Sequence, residues 1–216
     1  MRLRTRDKVA RFRGFWPKSL DRITLDAEAS VAPQPIKSPC SREFYKAARH
    51  SGTRRLSEIE LIVLHAEEAP TARAAARYFK SPNAAGSAHL CVDDGICYRC
   101  LANEDAPWAA PGANTNGFHI EQAGYARWST VVWKKHLMTL RRAAYKTAFH
   151  CKLFGIPVRF VDWRKLRAGA SGITTHRQVS RAFGGSHQDP GPFWPRALFM
   201  WYCRRYYRQL TATDGR

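Results

Sequence analysis

The chain has 216 residues and a mass of 24.6 kDa, which is ample for a domain with a real core and too long for a disulfide-stapled miniprotein. Hydrophobic residues make up 44% and the mean hydropathy is −0.46, which excludes wholesale disorder, and no run approaches the roughly 18 apolar residues of a membrane span. The 36 Lys and Arg exceed the 17 Asp and Glu by a net charge of +19, which draws such a chain to polyanions: nucleic acids, anionic cell-wall polymers or membrane surfaces.

The first 55 residues differ in composition from the rest of the chain. They contain 14 Lys and Arg against 5 Asp and Glu, and the stretch VAPQPIKSPC is typical of a linker. The opening MRLRTRDKVARFRGFW has a basic flank but no apolar stretch of about 7–15 residues behind it, so we expect no signal peptide. The sequence predicts a basic, partly ordered N-terminal arm over 1–55, with one short helix near 42–50.

From Ser57 onward, apolar periodicity predicts alternating strands and helices. Strands are expected at 58–65, 88–92, 96–101, 117–122 and 156–161, with a hairpin turn at Asp94-Gly95. Helices are expected at 71–79, 129–153 and 195–210. This order predicts an α/β domain over 56–216, with a mixed central β-sheet flanked by helices.

The cysteines are interpreted as structural. Their even number would suggest disulfides in a short secreted chain, but without an export signal reduced thiols are expected. Cys97 and Cys100 form a CxxC pair on a predicted strand, where residues three apart point to opposite faces and should not share a metal. The six cysteines are Cys40, Cys91, Cys97, Cys100, Cys151 and Cys203.

Ligand-type side chains occur at three places along the chain. His65 ends an apolar strand, and His176 follows the short segment GITT. His187 and Asp189 lie in the turn SHQDPGP, whose prolines restrict the backbone. A single histidine at a strand end is more often structural than a metal ligand. Two imidazoles and one carboxylate together supply the three protein ligands of a catalytic zinc site, in which the fourth position stays open.

Five segments follow one another over about residues 57–205: LIVLHAEE, SAHLCVDDGICYRC, APWAAPGANTNGFHIEQAG, GITTHRQVS and HQDPGPFWP. In this order they resemble the type-2 N-acetylmuramoyl-L-alanine amidases, a family that includes phage lysis amidases and is related to peptidoglycan recognition proteins. The resemblance implies bound Zn²⁺ and cleavage of the amide between N-acetylmuramic acid and L-alanine in peptidoglycan. It also implies a phage endolysin that stays in the host cytoplasm until lysis and then degrades the cell wall.

The resemblance assigns the chemistry to particular residues. It makes His65, His176 and Asp189 the zinc ligands. It makes Glu121 the general base, and Glu121 must carry this role alone because Ala88 stands where other branches of the family have a tyrosine.

The same resemblance allows two roles for His187. In the preferred one it donates a hydrogen bond to the oxyanion of the tetrahedral intermediate. In the rival one His187 binds the metal and Asp189 orients it from outside.

Residues near Glu121 are expected to contact substrate. Trp108, Asn114 and Asn116 lie in the preceding loop, where relatives contact substrate, although Trp108 could equally be a core residue. His119 stands where relatives commonly have glycine, and strand alternation places it on the face of Glu121 and towards the cleft, either touching substrate or lining the edge.

Two further function classes remain open at this point. One is a non-catalytic peptidoglycan-binding module of the same fold. The other is nucleic-acid binding, which is not expected because the chain has no recognisable nucleic-acid module. The favoured reading is a monomeric enzyme that acts on peptidoglycan. Its arm, together with Arg204, Arg205 and Arg208, would concentrate it on anionic cell-wall polymers.

Overall fold

The computed structural model describes residues 40–41 and 44–212. The strands are β1 (Gly52–Thr53), β2 (Leu61–Ala66), β3 (Leu90–Val92), β4 (Cys97–Arg99), β5 (Asp105–Ala106), β6 (Gly117–Gln122) and β7 (Gly172–Thr175). The helices are α1 (Ala72–Lys80), α2 (Thr130–Lys135), α3 (Leu137–Phe154), α4 (Trp163–Arg167), α5 (His176–Phe183) and α6 (Arg196–Ala212), with a 3₁₀ turn at Leu56–Glu58. Among these helices none has the length and apolar character needed to cross a bilayer.

Five of the strands form one mixed sheet in the order β4-β3-β6-β2-β7. The strands β3, β6, β2 and β7 run parallel to one another, whereas β4 returns antiparallel to β3 as a hairpin. The two short strands β1 and β5 pair separately. The predicted α/β fold with a mixed central sheet flanked by helices is therefore confirmed.

Each face of the sheet is covered by a different set of helices. Successive residues of a strand point to opposite faces. On one face Phe118 of β6 stacks on an imidazole of α3, with ring centroids 3.9 Å apart, and α3 packs on α6. On the other face Val63 of β2 belongs to an apolar cluster with Val179 of α5. His65, two residues after Val63, therefore points to the α5 face.

The predicted long helix over 129–153 is in fact two helices. The break falls at His136, whose backbone leaves the helical region (φ −98°, ψ 46°). There the carboxylate of Asp94, in the β3–β4 turn, contacts His136 Nδ1 at 2.7 Å and accepts from the N–H of Thr139 at 2.8 Å. Because Thr139 lies in the first turn of α3, Asp94 acts as a cap supplied from a distant part of the chain. Apolar spacing alone could not show this break.

Replacing Asp94 by Ala is expected to lower the free energy of unfolding by about 1–2 kcal/mol, the usual cost of losing a helix cap. The Thr139 N–H and hydroxyl both lose their acceptor, and His136 loses its carboxylate partner. Urea denaturation would measure the change, with Glu60→Ala as an exposed-carboxylate control. Equal urea midpoints for both variants would contradict this prediction.

The predicted strand at 156–161 is wrong. Only an isolated bridge between Phe160 and Ile173 forms there. Pro157 has no N–H with which to extend a ladder. The strand beside β2 is instead β7, a four-residue segment too short to carry a clear periodic signal.

The predicted helix near 42–50 is also wrong over the residues the structure describes. From Phe44 the chain runs extended along β4, and the N–H groups of Tyr45 and Ala47 donate to carbonyls of Arg99 and Cys100. Backbone pairing with a distant strand has overridden local propensity. The remainder of the predicted arm, residues 1–39 and 42–43, lies outside the described residues, so the boundary at 55/56 stays a prediction.

The expectation of reduced thiols is wrong for one pair, because Cys40 and Cys97 form a disulfide. The N–H of Ser41 donates to the carbonyl of Cys97, which brings the two segments side by side despite a separation of 57 residues. The other four cysteines are free and buried. Among them, the Sγ atoms of Cys91 and Cys100 lie 3.8 Å apart.

Candidate metal centre

Three parallel strands bring the predicted site residues to one edge of the sheet. His65 and Glu121 are directly paired near the carboxyl ends of β2 and β6. On the other side of β2, β7 leads straight into α5, so that His176 is the first residue of that helix. Thr175 caps α5 by accepting from the N–H of Gln178. Ligands bind preferentially at such carboxyl ends of parallel strands.

The turn after α5 carries Asp189 into the same place. The N–H of Arg177 donates to the carbonyl of Asp189 at 2.9 Å, which ties the turn to the start of α5. Gly191 has φ +99°, and any Cβ there would collide with the carbonyl of Ala126, so this position requires glycine. The turn is thereby fixed with the Asp189 carboxylate pointing at the histidines.

The carboxylate of Asp189 lies between the two imidazoles. Its Oδ2 is 3.2 Å from His65 Nδ1, and its Oδ1 is 3.1 Å from His176 Nδ1. Burial acts to raise the pKa of Asp189, but the hydrogen bonds with His176 and His65 outweigh it and leave the pKa well below its usual range. Burial lowers the pKa of His65, against the effect of Asp189. The carboxylate is therefore a permanent negative charge at this point.

This donor set fits a divalent metal ion. In the described part of the chain, His65, His176 and Asp189 form a group whose ligand atoms all lie within 4.8 Å of one another. A tetrahedral zinc with ligands at about 2.0–2.1 Å separates its ligand atoms by roughly 3.4 Å, a spacing that falls within this 4.8 Å limit. His176 Nε2 is buried and has no hydrogen-bond partner among the described residues. Two imidazoles and a carboxylate are also ligands that zinc prefers.

Glu121 lies next to this group and has unused bonding capacity. Its Oε1 is 3.9 Å from His65 Nδ1, and its Oε2 is buried without a hydrogen-bond partner within the described chain. Burial, reinforced by the negative charge of Asp189, raises the pKa of Glu121 well above its usual value. A carboxyl group with a raised pKa holds a transferred proton more firmly than an ordinary one and can still release it.

His187 lies at the outer rim of the group. Its side chain is 61% exposed, and its ring stacks on His176 with centroids 4.0 Å apart. Its Nδ1 is 3.7 Å from Asp189 Oδ1, beyond hydrogen-bond distance. Partial burial and the neighbouring His176 lower the pKa of His187.

A cleft of about 640 Å³ opens over these residues, a size typical of small-molecule sites. Trp108 lines the cleft and is 45% exposed. Its backbone is fixed by paired bonds with Ser87, in which Trp108 N–H donates to the hydroxyl and Ser87 N–H to the Trp108 carbonyl. The structure therefore places Trp108 where a substrate could contact it.

The other predicted substrate residues do not line the cleft. The side chain of Asn114 accepts from the N–H groups of Ala109 and Ala110 and thereby closes its own loop. Asn116 lies just before β6, at the opposite end of that strand from Glu121, and its carbonyl accepts from β2. Their contact with substrate stays a prediction, without support from this geometry.

His119 lies on the face of Glu121, as strand alternation requires, but at a different depth than expected. It is fully buried and does not line the cleft. Its Nδ1 is 2.9 Å from His65 Nε2. His89 is also fully buried, and its Nδ1 accepts from the backbone N–H of His119.

Sequence analysis missed two cleft residues on α1, Tyr78 and Phe79. Tyr78 is 49% exposed, whereas Phe79 is buried in the core cluster under α1. A large aromatic residue on the solvent side of an amphipathic helix was the available signal for Tyr78.

The sequence profile that describes N-acetylmuramoyl-L-alanine amidases matches residues 55–192, the span that contains every residue of this site. The chain belongs to the N-acetylmuramoyl-L-alanine amidase family. No curated protein matches this family member in a sequence search.

Solved structures share the fold of this amidase-family chain. The Staphylococcus aureus hydrolase AmiA, solved with its ligand, is 14% identical, with a TM-score of 0.66 over 89% of this chain and 92% of that one. The PlyG catalytic domain is 14% identical, with a TM-score of 0.51 over 74% and 87%. A mutant endolysin from Bacillus subtilis is 20% identical, with a TM-score of 0.50 over 73% and 92%. At these identities the likeness concerns the fold.

Proposed function

We propose that this amidase-family chain is a zinc-dependent hydrolase that cleaves the amide between N-acetylmuramic acid and L-alanine, and that it acts as a phage endolysin. The observation that carries the proposal is the convergence of His65, His176 and Asp189 beside Glu121, whose Oε2 has no hydrogen-bond partner among the described residues. A peptidoglycan-binding module would have no use for a proton-accepting carboxylate at this point. The family match supports the choice of bond.

In this proposal His65, His176 and Asp189 hold the zinc ion. When bound there, zinc supplies Lewis acidity, which lowers the pKa of water to about 7 and polarises a carbonyl group. The burial of all three side chains excludes competing solvent from the ligand atoms. The shared Asp189 carboxylate contributes the negative charge that offsets part of the charge of the cation.

Glu121 serves as the proton shuttle. Oε2 takes a proton from the water that attacks the carbonyl carbon, and the same oxygen then delivers the proton to the leaving nitrogen. The carbon–nitrogen bond breaks, and the products are a carboxylic acid on the lactyl group and the free amine of L-alanine. The raised pKa of Glu121 suits both halves of this transfer, because a strongly acidic carboxyl would hold the proton too weakly to deliver it.

His187 stabilises the negative charge that develops on the carbonyl oxygen. Its exposed ring can turn towards a substrate, while stacking on His176 keeps it at the rim of the cleft. The grouping of Asp189, not His187, with the two buried histidines supports Asp189 as the ligand. His187 then remains available as a hydrogen-bond donor.

The basic surface is proposed to bind anionic cell-wall polymers. Arg204 and Arg208 are exposed on α6, and Arg205 lies over the Trp201 ring at 5.4 Å. The arm adds to this charge through its 14 basic residues. Such attraction would concentrate the enzyme on the wall and would weaken as salt is added.

Purified protein is expected to contain about one zinc per chain and to release stem peptides with a free L-alanine amine from sacculi. Metal analysis and mass spectrometry of the digest would measure both. A chelator should abolish release, and added zinc should restore it. Muropeptide binding without released peptide would instead favour the binding module. Cleavage at a sugar–sugar linkage would overturn the assigned bond.

A further inference from the structure

His119 connects His65 to the protein backbone through a chain of two hydrogen bonds. His119 Nδ1 is 2.9 Å from His65 Nε2, and His119 Nε2 is 3.0 Å from the carbonyl oxygen of Ala113. Both imidazoles are buried, with His119 at 0% exposure and His65 at 2%. Both ring nitrogens of His119 are thus hydrogen-bonded, and neither faces the cleft.

The acceptor at the end of the chain determines where the hydrogens lie. A carbonyl oxygen can only accept, so His119 Nε2 must carry a hydrogen. A buried imidazole without an anionic hydrogen-bond partner stays neutral, because an unpaired buried charge is costly. Nδ1 of His119 therefore accepts, and Nε2 of His65 donates to it. The remaining nitrogen of His65, Nδ1, faces Asp189 and Glu121.

We propose that His119 is a positioning residue that fixes the tautomer and ring orientation of His65, so that Nδ1 presents its lone pair to the metal. The inference rests on the proposed function, since it concerns the same metal. Metal-binding histidines commonly donate their second nitrogen to an acceptor in this way, often a carboxylate or a carbonyl. Here the acceptor is a second imidazole, relayed to the backbone.

The surroundings of His119 fix it in this orientation. Its backbone N–H donates to His89 Nδ1 at 3.0 Å. A Cβ at Gly117 would collide with both the Ala113 carbonyl and the His119 ring, so glycine makes room for their contact. Arg54 Nη1 contacts three carbonyl oxygens between Ala113 and His119, those of Asn114, Thr115 and Gly117, at 2.7–3.1 Å. These contacts prevent the relay from being an incidental contact of two mobile side chains.

The inference can be separated from a simple packing role by two substitutions. His119→Leu fills a similar volume with an apolar side chain and removes the acceptor. His119→Asn places an amide oxygen one bond from Cγ, where His119 has Nδ1, and so restores an acceptor for His65 Nε2–H. If His119 only fills space, Leu should be the better replacement. If it positions His65, Asn should be.

Zinc affinity, measured by competition with a chromophoric chelator, is the main readout. His119→Leu is expected to bind zinc about 10- to 100-fold more weakly than the wild type, the usual loss for an outer partner of a metal ligand. His119→Asn is expected to recover most of that loss. Nitrogen NMR of the zinc-loaded wild type should show His65 protonated at Nε2.

Each outcome bears on the inference. A folded His119→Leu that binds zinc as tightly as the wild type overturns it, as does a His65 proton on Nδ1 in the zinc-loaded wild type. The NMR result decides the matter even where the Leu variant fails to fold. A wild type that binds no zinc overturns the proposed function as well, which distinguishes the two failures.

Discussion

Glu121→Gln is expected to slow amide cleavage by about 10²- to 10⁴-fold, the contribution of a positioned general acid–base group. Glutamine keeps the size and the hydrogen-bonding oxygen of the side chain but cannot take a proton from water. Glu121 is not part of the group that could hold the metal, so the variant should keep its zinc. Release of stem peptides per unit time, beside zinc content, would measure the two effects separately.

Glu68→Gln is the matched control, because Glu68 lines the same cleft and undergoes the same chemical change. Its Oε1 accepts from the N–H of Ala126, a bond that the glutamine oxygen can keep. The control should therefore retain most of the activity. Full activity in Glu121→Gln would remove Glu121 as the proton shuttle, and equal losses in both variants would point to general damage of the cleft.

Part of the site could be predicted because it depends on short-range patterns. The apolar run that ends at His65 and the alternation through Glu121 identify two buried strands. Because parallel strands present their carboxyl ends at one edge, both residues fall at the same place. Asp189 could be named from its turn, but its placement beside the histidines needed the family resemblance, since no periodic pattern brings a turn 13 residues after His176 to that point.

The parts that sequence reasoning missed depend on contacts between distant segments. The break at His136 is accompanied by a carboxylate from the β3–β4 hairpin, and the extended run from Phe44 exists because β4 offers an edge. Local spacing contains neither partner. The Cys40–Cys97 disulfide follows from the same edge pairing. Such features require the register of the sheet, which no single segment encodes.

His119 shows the limit of alternation most clearly. Period-two alternation correctly assigns it to the face of Glu121. It does not tell how far a residue lies from the cleft. His119 is only two residues before Glu121 on β6, yet its side chain lies beneath His65 and outside the cleft. The family resemblance could not help, because relatives commonly have glycine there. Only the parallel register of β2 and β6 brings the two imidazoles together.

Asp189→Asn is expected to abolish activity through loss of zinc, whereas Glu121→Gln should keep its zinc and lose only the proton transfer. Asparagine preserves the shape of the side chain but removes the negative charge that two histidines now contact at 3.1 and 3.2 Å. Zinc affinity should fall by more than the roughly 10- to 100-fold typical of an outer partner, because a ligand itself is weakened. Metal analysis after dialysis against a weak chelator would measure it.

His187→Ala completes the comparison, because the rival arrangement makes His187 the ligand and Asp189 its support. With Asp189 as the ligand, His187→Ala should keep zinc and lose activity by about 10²- to 10³-fold, as on removal of an oxyanion donor. With His187 as the ligand, His187→Ala should lose more zinc than Asp189→Asn. The 61% exposure of His187, against the burial of Asp189, favours the first result, since a metal ligand open to water would be the weakest member of its set. Zinc retained by Asp189→Asn and lost by His187→Ala would exchange the roles of the two residues.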